Sequence, residues 1–295
     1  MKSYAILIGN GLNRASDNMA WIDMLCEIRK KYGVEANLSY TNLPLEFERI
    51  YLDACEKTKI DNVYSLKKDV ANLLPNVKNL SLHSEFVSLP IDCFLTTNYD
   101  YYLEQATDPN FQRNKYIFNT SERKHSLFRK IEIQKKMFWH IHGEAHCPAS
   151  ICLGYDHYCT YLSKMIAFLT QPQSKISKKP YLRYILENDR DLKESWLPIF
   201  FSHDVFIVGL SMSFLEIDLW WLLTYRRRFA LENTKYNISN KIHYFYAVGD
   251  CKIDSEQISL LESVGVELHP ISLIRKNWRK LYQEVYNQIY SIINR

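Results

Sequence analysis

Apolar residues fall in short runs that stop abruptly at glycine or polar residues. Tyr4-Ala5-Ile6-Leu7-Ile8 breaks at Gly9-Asn10-Gly11, and Cys93-Phe94-Leu95 gives way to Thr96-Thr97-Asn98-Tyr99-Asp100. Phe138-Trp139-His140-Ile141 ends at His142-Gly143-Glu144, and Asp204-Val205-Phe206-Ile207-Val208 ends at Gly209-Leu210-Ser211-Met212-Ser213. Two more runs, Lys241 to Val248 and Val266 to Ile271, lie toward the C-terminus, the first closed by Gly249-Asp250. Such runs bounded by turn residues predict strands. Helical spacing is predicted between them, from about Met19 to Tyr32, in two pieces from Leu45 to Leu74, from Tyr155 to Leu169 and from Leu215 to Phe229. This alternation predicts an α/β fold: a Rossmann-like, mostly parallel sheet with helices on both faces. A helical insertion layer is expected near residues 37–85 and 145–200, within one domain spanning 1–295. Lys175 to Pro180 reads as an exposed loop.

An open parallel sheet places its ligand crevice outside the carboxyl ends of its strands, so residues just past an apolar run face a ligand rather than the core. Asn98, Asp100 and His142 become candidates for chemistry on that ground. Asn98 and Asp100 can equally close a turn and cap the next helix. His140 lies two residues before His142, which on a continuous strand puts both on one face; it is a core or supporting histidine, with His142 the stronger candidate.

The first strand runs into Gly9-Asn10-Gly11-Leu12-Asn13-Arg14 and then a helical pattern. Glycines at such a turn let the backbone approach a pyrophosphate, which the helix N-terminus attracts. The dinucleotide fingerprint is incomplete, because Arg14 stands in place of its third glycine; a tight turn with a solvated Arg14 is the plainer alternative. Gly209-Leu210-Ser211 repeats the arrangement at another strand end.

Taken in order, these segments resemble the sirtuin-like family, specifically the bacterial sirtuin-like NAD hydrolases of antiphage defence. The resemblance rests on the G-x-G turn (Gly9, Gly11) with the nearby Trp21, the T-T-N-Y-D segment (Thr96 to Asp100), the H-G pair (His142-Gly143), the G-x-S turn (Gly209 to Ser211) and the last strand. It implies NAD+ as substrate and Asn98 and His142 as the catalytic pair, with Asp100 beside them. Asn98 would bond the ribose hydroxyls or water, and His142 would act as general base while nicotinamide leaves and the sugar becomes oxocarbenium-like. NAD contacts are expected from Gly9, Asn10, Gly11, Asn13, Arg14, Thr97, Gly209 and Ser211. Asp250, at the strand end where Rossmann-type folds contact an adenosine ribose, reads equally as a ribose contact or as a plain turn residue, and His269 is expected near adenine by analogy. Asn10 and Asn13 depart from the family pattern, which has a small residue and a serine there.

Protein-deacylating sirtuins carry a zinc ribbon, and this sequence has no C-x-x-C pair for one. Cys147, Cys152 and Cys159 with His146 and His157 offer only irregular spacing, better read as free thiols, so no metal is expected and water is the natural acceptor. The resemblance therefore implies a glycohydrolase yielding nicotinamide and ADP-ribose, which depletes NAD+ during phage infection. Two other classes stay open: a non-catalytic NAD- or ADP-ribose-binding subunit, and a sirtuin-type deacylase or ADP-ribosyltransferase. Control is expected through homo-oligomerisation or a partner, which in related compact members is a hexameric DNA-translocating ATPase.

Composition narrows the partners. With 295 residues and 47% hydrophobic content, the chain can bury a large core. A net charge of +4 and 14% aromatic residues name no partner. Arg226-Arg227-Arg228 and Lys276 to Lys280 read as solvated faces or oligomer contacts, so direct nucleic-acid binding is not expected. Leu219 to Leu223 is too short to span a bilayer, so no membrane association is expected. No secretory leader pattern precedes Tyr4, and seven scattered cysteines fit a reducing compartment, so a cytoplasmic protein is expected.

Overall fold

The computed structural model describes residues 2–16, 21–34, 42–58, 60, 62–74, 79–115, 122, 124–172, 179–188, 194–250 and 254–295. Most of the predicted loop at 175–180 lies outside them. The first half contains β1 (Tyr4–Ile8), α1 (Gly11–Ala15), α2 (Trp21–Lys31), α3 (Leu43–Thr58), α4 (Val63–Leu73), α5 (Ser81–Val87), β2 (Cys93–Thr96), α6 (Tyr102–Thr107), β3 (Ile131–Ile133) and β4 (Lys136–His140). The second contains α7 (Tyr155–Thr170), α8 (Tyr181–Asn188), α9 (Ile199–Ser202), β5 (Asp204–Val208), α10 (Ile217–Glu232), β6 (Ile242–Gly249), α11 (Ser255–Ser263), β7 (Val266–Leu273) and α12 (Trp278–Ile293).

Seven strands form one sheet in the order β3-β4-β2-β1-β5-β6-β7. All neighbours are parallel except the β3–β4 hairpin at one edge. The chain starts in the middle, winds outward through β2 to β4, returns to β5 and winds outward through β7. That is the doubly wound Rossmann order, whose direction switches between β1 and β5 and leaves a crevice outside their carboxyl ends.

Side-chain alternation sends each strand's residues to two layers. Ala5, Leu7, Cys93, Leu95, Trp139, Val205 and Ile207 pack against α7 to α11, whereas Ile6, Ile8, Phe94, Phe138, Phe206 and Val208 pack against α1, α5, α6 and α12. A third cluster joins α2, α3 and α4 through Met24, Leu25, Ile28, Phe47, Ile50, Leu66 and Val70, and Tyr99, Ile151 and Leu153 anchor it to the strand-end loops. These helices form the layer over the crevice.

Three readings of the sequence change. The helix predicted from about Met19 to Tyr32 is α2, and a further short helix, α1, begins directly at Gly11 ahead of it. The last strand, predicted to Ile271, continues to Leu273; Pro270 is tolerated within it because β7 is an edge strand, where the missing proline amide removes no ladder bond from a central position. The β3–β4 hairpin, turned by Gln134 and Lys135 at φ 51° and 70°, had no glycine to signal it. Among the described residues no helix is long and apolar enough to cross a membrane.

Candidate active site

At the switch point two loops meet almost backbone to backbone. The Gly9 amide donates to Val208 O at 2.9 Å and the Gly11 amide to Gly209 O at 2.7 Å. A Cβ at Gly9 would sit 2.6 Å from Gly209 O, and one at Gly11 would sit 2.4 Å from the Tyr282 hydroxyl. The glycines are thus required by the contact between the two loops, whatever ligand lies above. The expected long-helix N-terminus aimed at a pyrophosphate is not formed here, because α1 spans only Gly11–Ala15 and its first amide is already bonded to Gly209.

The loops after β2 and β4 are joined in the same way. Ile141 N donates to Thr96 O at 2.9 Å, Ala145 N to Tyr99 O at 2.9 Å, and the Tyr99 hydroxyl to Cys152 O at 2.6 Å. Asn98 is held by its amide on Thr96 Oγ1, and its Nδ2 only reaches Gly9 O at 3.5 Å, so most of the hydrogen-bonding capacity of this nearly buried side chain remains for a ligand. Gly143 has φ +98°, and a Cβ there would lie 2.4 Å from Ser150 O. The H-G pair therefore needs its glycine to turn the chain sharply behind His142.

His142 is buried, with Nε2 2.9 Å from Asp218 Oδ2 and Nδ1 3.9 Å from Glu216 Oε2. Tyr158 meets the ring edge-on at 5.3 Å. Burial opposes charging of the imidazole, but the Asp218 carboxylate, with Glu216 adding to it, outweighs this and holds the pKa above its ordinary value. Burial pushes the Glu216 carboxyl up to about 7; His142 opposes the rise and Asp218 adds to it. Asp218 fixes the ring and leaves Nδ1 directed to Glu216.

His140 does not share the face of His142. The strand ends at His140, and the turn after it carries His142 to the layer of α10, so the same-face expectation for a continuous strand fails. His140 lies in the layer of α6, with Nε2 2.7 Å from Glu104 Oε1 and Nδ1 2.8 Å from Asn98 O. Burial alone would lower its pKa; the Glu104 carboxylate raises it to about 9. Glu144 of the same segment is paired with Arg113 at 2.7 Å and Arg129 at 2.8 Å and accepts from the Tyr101 hydroxyl. Its pKa falls below the carboxylate norm, because His140 and the two guanidinium groups overcome its burial.

A cavity of about 530 Å³ lies among these loops, within the size range of small-molecule sites. Asn10, Gly11, Arg14, Thr97, Asn98, Asp100, His142, Gly209 and Ser211 line it, bringing most of the sequence-predicted residues together. Trp21 and Met24 of α2 and Leu43 form part of its wall under the helical layer, and Tyr244, Gln257 and Tyr282 line it as well.

Four predicted contacts lie elsewhere. Gly9 is buried under the Gly209 loop. Asn13 is buried as a bridge, its Nδ2 donating to Asp100 Oδ2 at 2.7 Å and its Oδ1 bonded to His83 Nε2 at 2.9 Å. Asp250 is exposed beyond β6 with its amide on Leu273 O, and His269 sits within β7, stacked 4.5 Å from Phe245. Asp100 also uses both oxygens, on Asn13 and on the Tyr102 amide at the start of α6, and burial raises its pKa to about 6. Among the described residues, the irregular Cys147–Cys159 set does not assemble as a metal-ligand group. Glu216 and Asp218 were missed because they precede and open α10, where acidic residues read simply as favourable for a helix N-terminus.

This fold and crevice define an α/β protein of the doubly wound, Rossmann-like class. The SIR2-like domain family matches residues 92–269, more than half of the chain, and the chain belongs to it. Membership implies NAD binding and sirtuin-like chemistry that uses NAD. The match opens just before β2 and runs into β7, so it contains Asn98, His142, Glu216 and Asp218 but not the Gly9–Gly11 turn. No curated protein matches the chain.

Proposed function

We propose that this chain is an NAD+ glycohydrolase, releasing nicotinamide and ADP-ribose, and that it depletes NAD+ in antiphage defence. The observation that carries the reading is that Asn98 and His142, from separate strand ends, line one cavity with the Gly11 and Gly209 loops. The cavity suits a dinucleotide in size, and it offers aromatic walls beside a few convergent polar groups.

In this reading the Asn98 amide orients the nicotinamide ribose and the attacking water, supplying both donor and acceptor without charge. His142 takes the proton at Nδ1. Asp218, bonded to Nε2, fixes the ring and stabilises the imidazolium that forms, as the carboxylate does in a Ser-His-Asp triad. Glu216 stands behind Nδ1 as a second proton carrier with an affinity near neutral pH. Asp100 and Asn13 hold the loop that presents Asn98 and the Gly11 turn. We place the chain as one sirtuin-like unit controlled by self-association or by a separate partner.

Incubating the purified protein with NAD+, alone and with an acylated peptide, and separating the products tests the assignment. Free nicotinamide and ADP-ribose without peptide support it. O-acyl-ADP-ribose formed only with peptide, or modified protein, assigns a transferase instead, and tight NAD+ binding without turnover in every assembly state assigns a binding subunit.

A further inference from the structure

Away from the cavity, the outermost pair of parallel strands brings together two imidazoles and a carboxylate. His243 on β6 places Nδ1 3.0 Å from Nε2 of His269 and 3.4 Å from Oε2 of Glu267, both on β7. We propose that His243, His269 and Glu267 form a binding site for a divalent cation of the zinc class, independent of the NAD site.

The spacing fits such an ion. Tetrahedral zinc bonds of about 2.0 to 2.2 Å place neighbouring ligand atoms roughly 3.3 Å apart. The two separations here, 3.0 and 3.4 Å, bracket that value, and all three donor atoms lie within 4.8 Å of one another. The rings are held before any ion arrives: Phe206 stacks on His243 at 5.0 Å, and Phe245 on His269 at 4.5 Å. Lys241 occupies Glu267 Oε1 at 2.6 Å and leaves Oε2 turned toward the imidazoles. His243 is 3% exposed, but Glu267 is 44% exposed, so the ion has a route in and room for a water as fourth ligand.

Two nitrogens and one oxygen favour zinc, cobalt or nickel over magnesium or calcium, which prefer all-oxygen shells. Seating the ion needs a lone pair on both facing nitrogens, so the proton that bridges them moves to the far nitrogen of one ring. The bound ion would then clip the edge strand β7 to β6.

The test is a Co2+ and Zn2+ titration of the full chain with its thiols kept reduced, read by cobalt absorption and by calorimetry. It is run in a His142→Ala background, to silence the His142–Glu216–Asp218 cluster, the other such group among the described residues. One saturable equivalent is expected, with the visible bands of a nitrogen–oxygen site and no thiolate charge-transfer band. His269→Ala and Glu267→Gln should each weaken binding by at least about tenfold. They are used because His243 is buried and its removal can unfold the chain. Zinc should also raise the melting temperature of the parent and leave that of His269→Ala unmoved. Absence of saturable binding, a thiolate signature, or unchanged affinity in both variants overturns the site.

Discussion

His140 and His142 are two residues apart, both buried, and each bonded to a carboxylate, yet they belong to opposite layers and have different valence left over. His140 spends Nδ1 on Asn98 O and Nε2 on Glu104. His142 spends only Nε2, on Asp218, and keeps Nδ1 beside Glu216 at the cavity wall. A buried histidine with both nitrogens in hydrogen bonds holds structure; one that lines a cavity and has only a distant carboxylate at its second nitrogen can move a proton. The difference comes from the turn that begins where β4 ends, not from the residue type.

Breaking the pair should separate the two roles. The largest effect is expected from His142→Ala, which should lower NAD+ cleavage by about 10³-fold while the protein still folds, as circular dichroism would check. His140→Gln should do the reverse. It leaves Glu104 buried without its cation and should cost about 3 to 5 kcal/mol in denaturant unfolding. Its pH dependence adds a sign. With a folded pKa near 9 against about 6.5 unfolded, His140 contributes stability that is complete below pH 6.5 and lost as pH rises toward 9, and the variant should flatten that loss.

Asp218→Asn should lower kcat by about 10²-fold. Since a base must be deprotonated and Asp218 raises the His142 pKa, the ascending limb of the wild-type rate profile should lie above the ordinary histidine value, and the variant should move it to lower pH. Gly143→Ala sharpens the comparison with the smallest effect. Its φ of +98° and the close Ser150 carbonyl should cost about 1 to 3 kcal/mol of stability and misplace His142 more than His140.

Most of the sheet was legible because buried strands carry continuous apolar runs closed by glycine or polar residues, a local signal. β1 and β5 fall where those runs place them, and the strand-end rule carried Asn98, His142, Gly209 and Ser211 to one cavity. What was not legible depends on distant partners. Asp218 reaches His142 across 76 residues, and nothing local distinguishes it from an acidic residue opening a helix. Asn13 was read as a phosphate contact because it follows the glycine turn, whereas its side chain answers to His83 and Asp100. His269 was expected near adenine because it lies toward the end of the predicted last strand, Val266 to Ile271. The strand runs on to Leu273, which leaves His269 in its middle, beside His243 on β6.

The most direct test is single-turnover product analysis of NAD+ with the wild type, Asn98→Ala and His142→Ala at matched protein concentration and assembly state. Nicotinamide and ADP-ribose in equal amounts from the wild type, and neither from the two variants while both still bind NAD+, is the expected result. Undiminished hydrolysis by either variant would contradict the account.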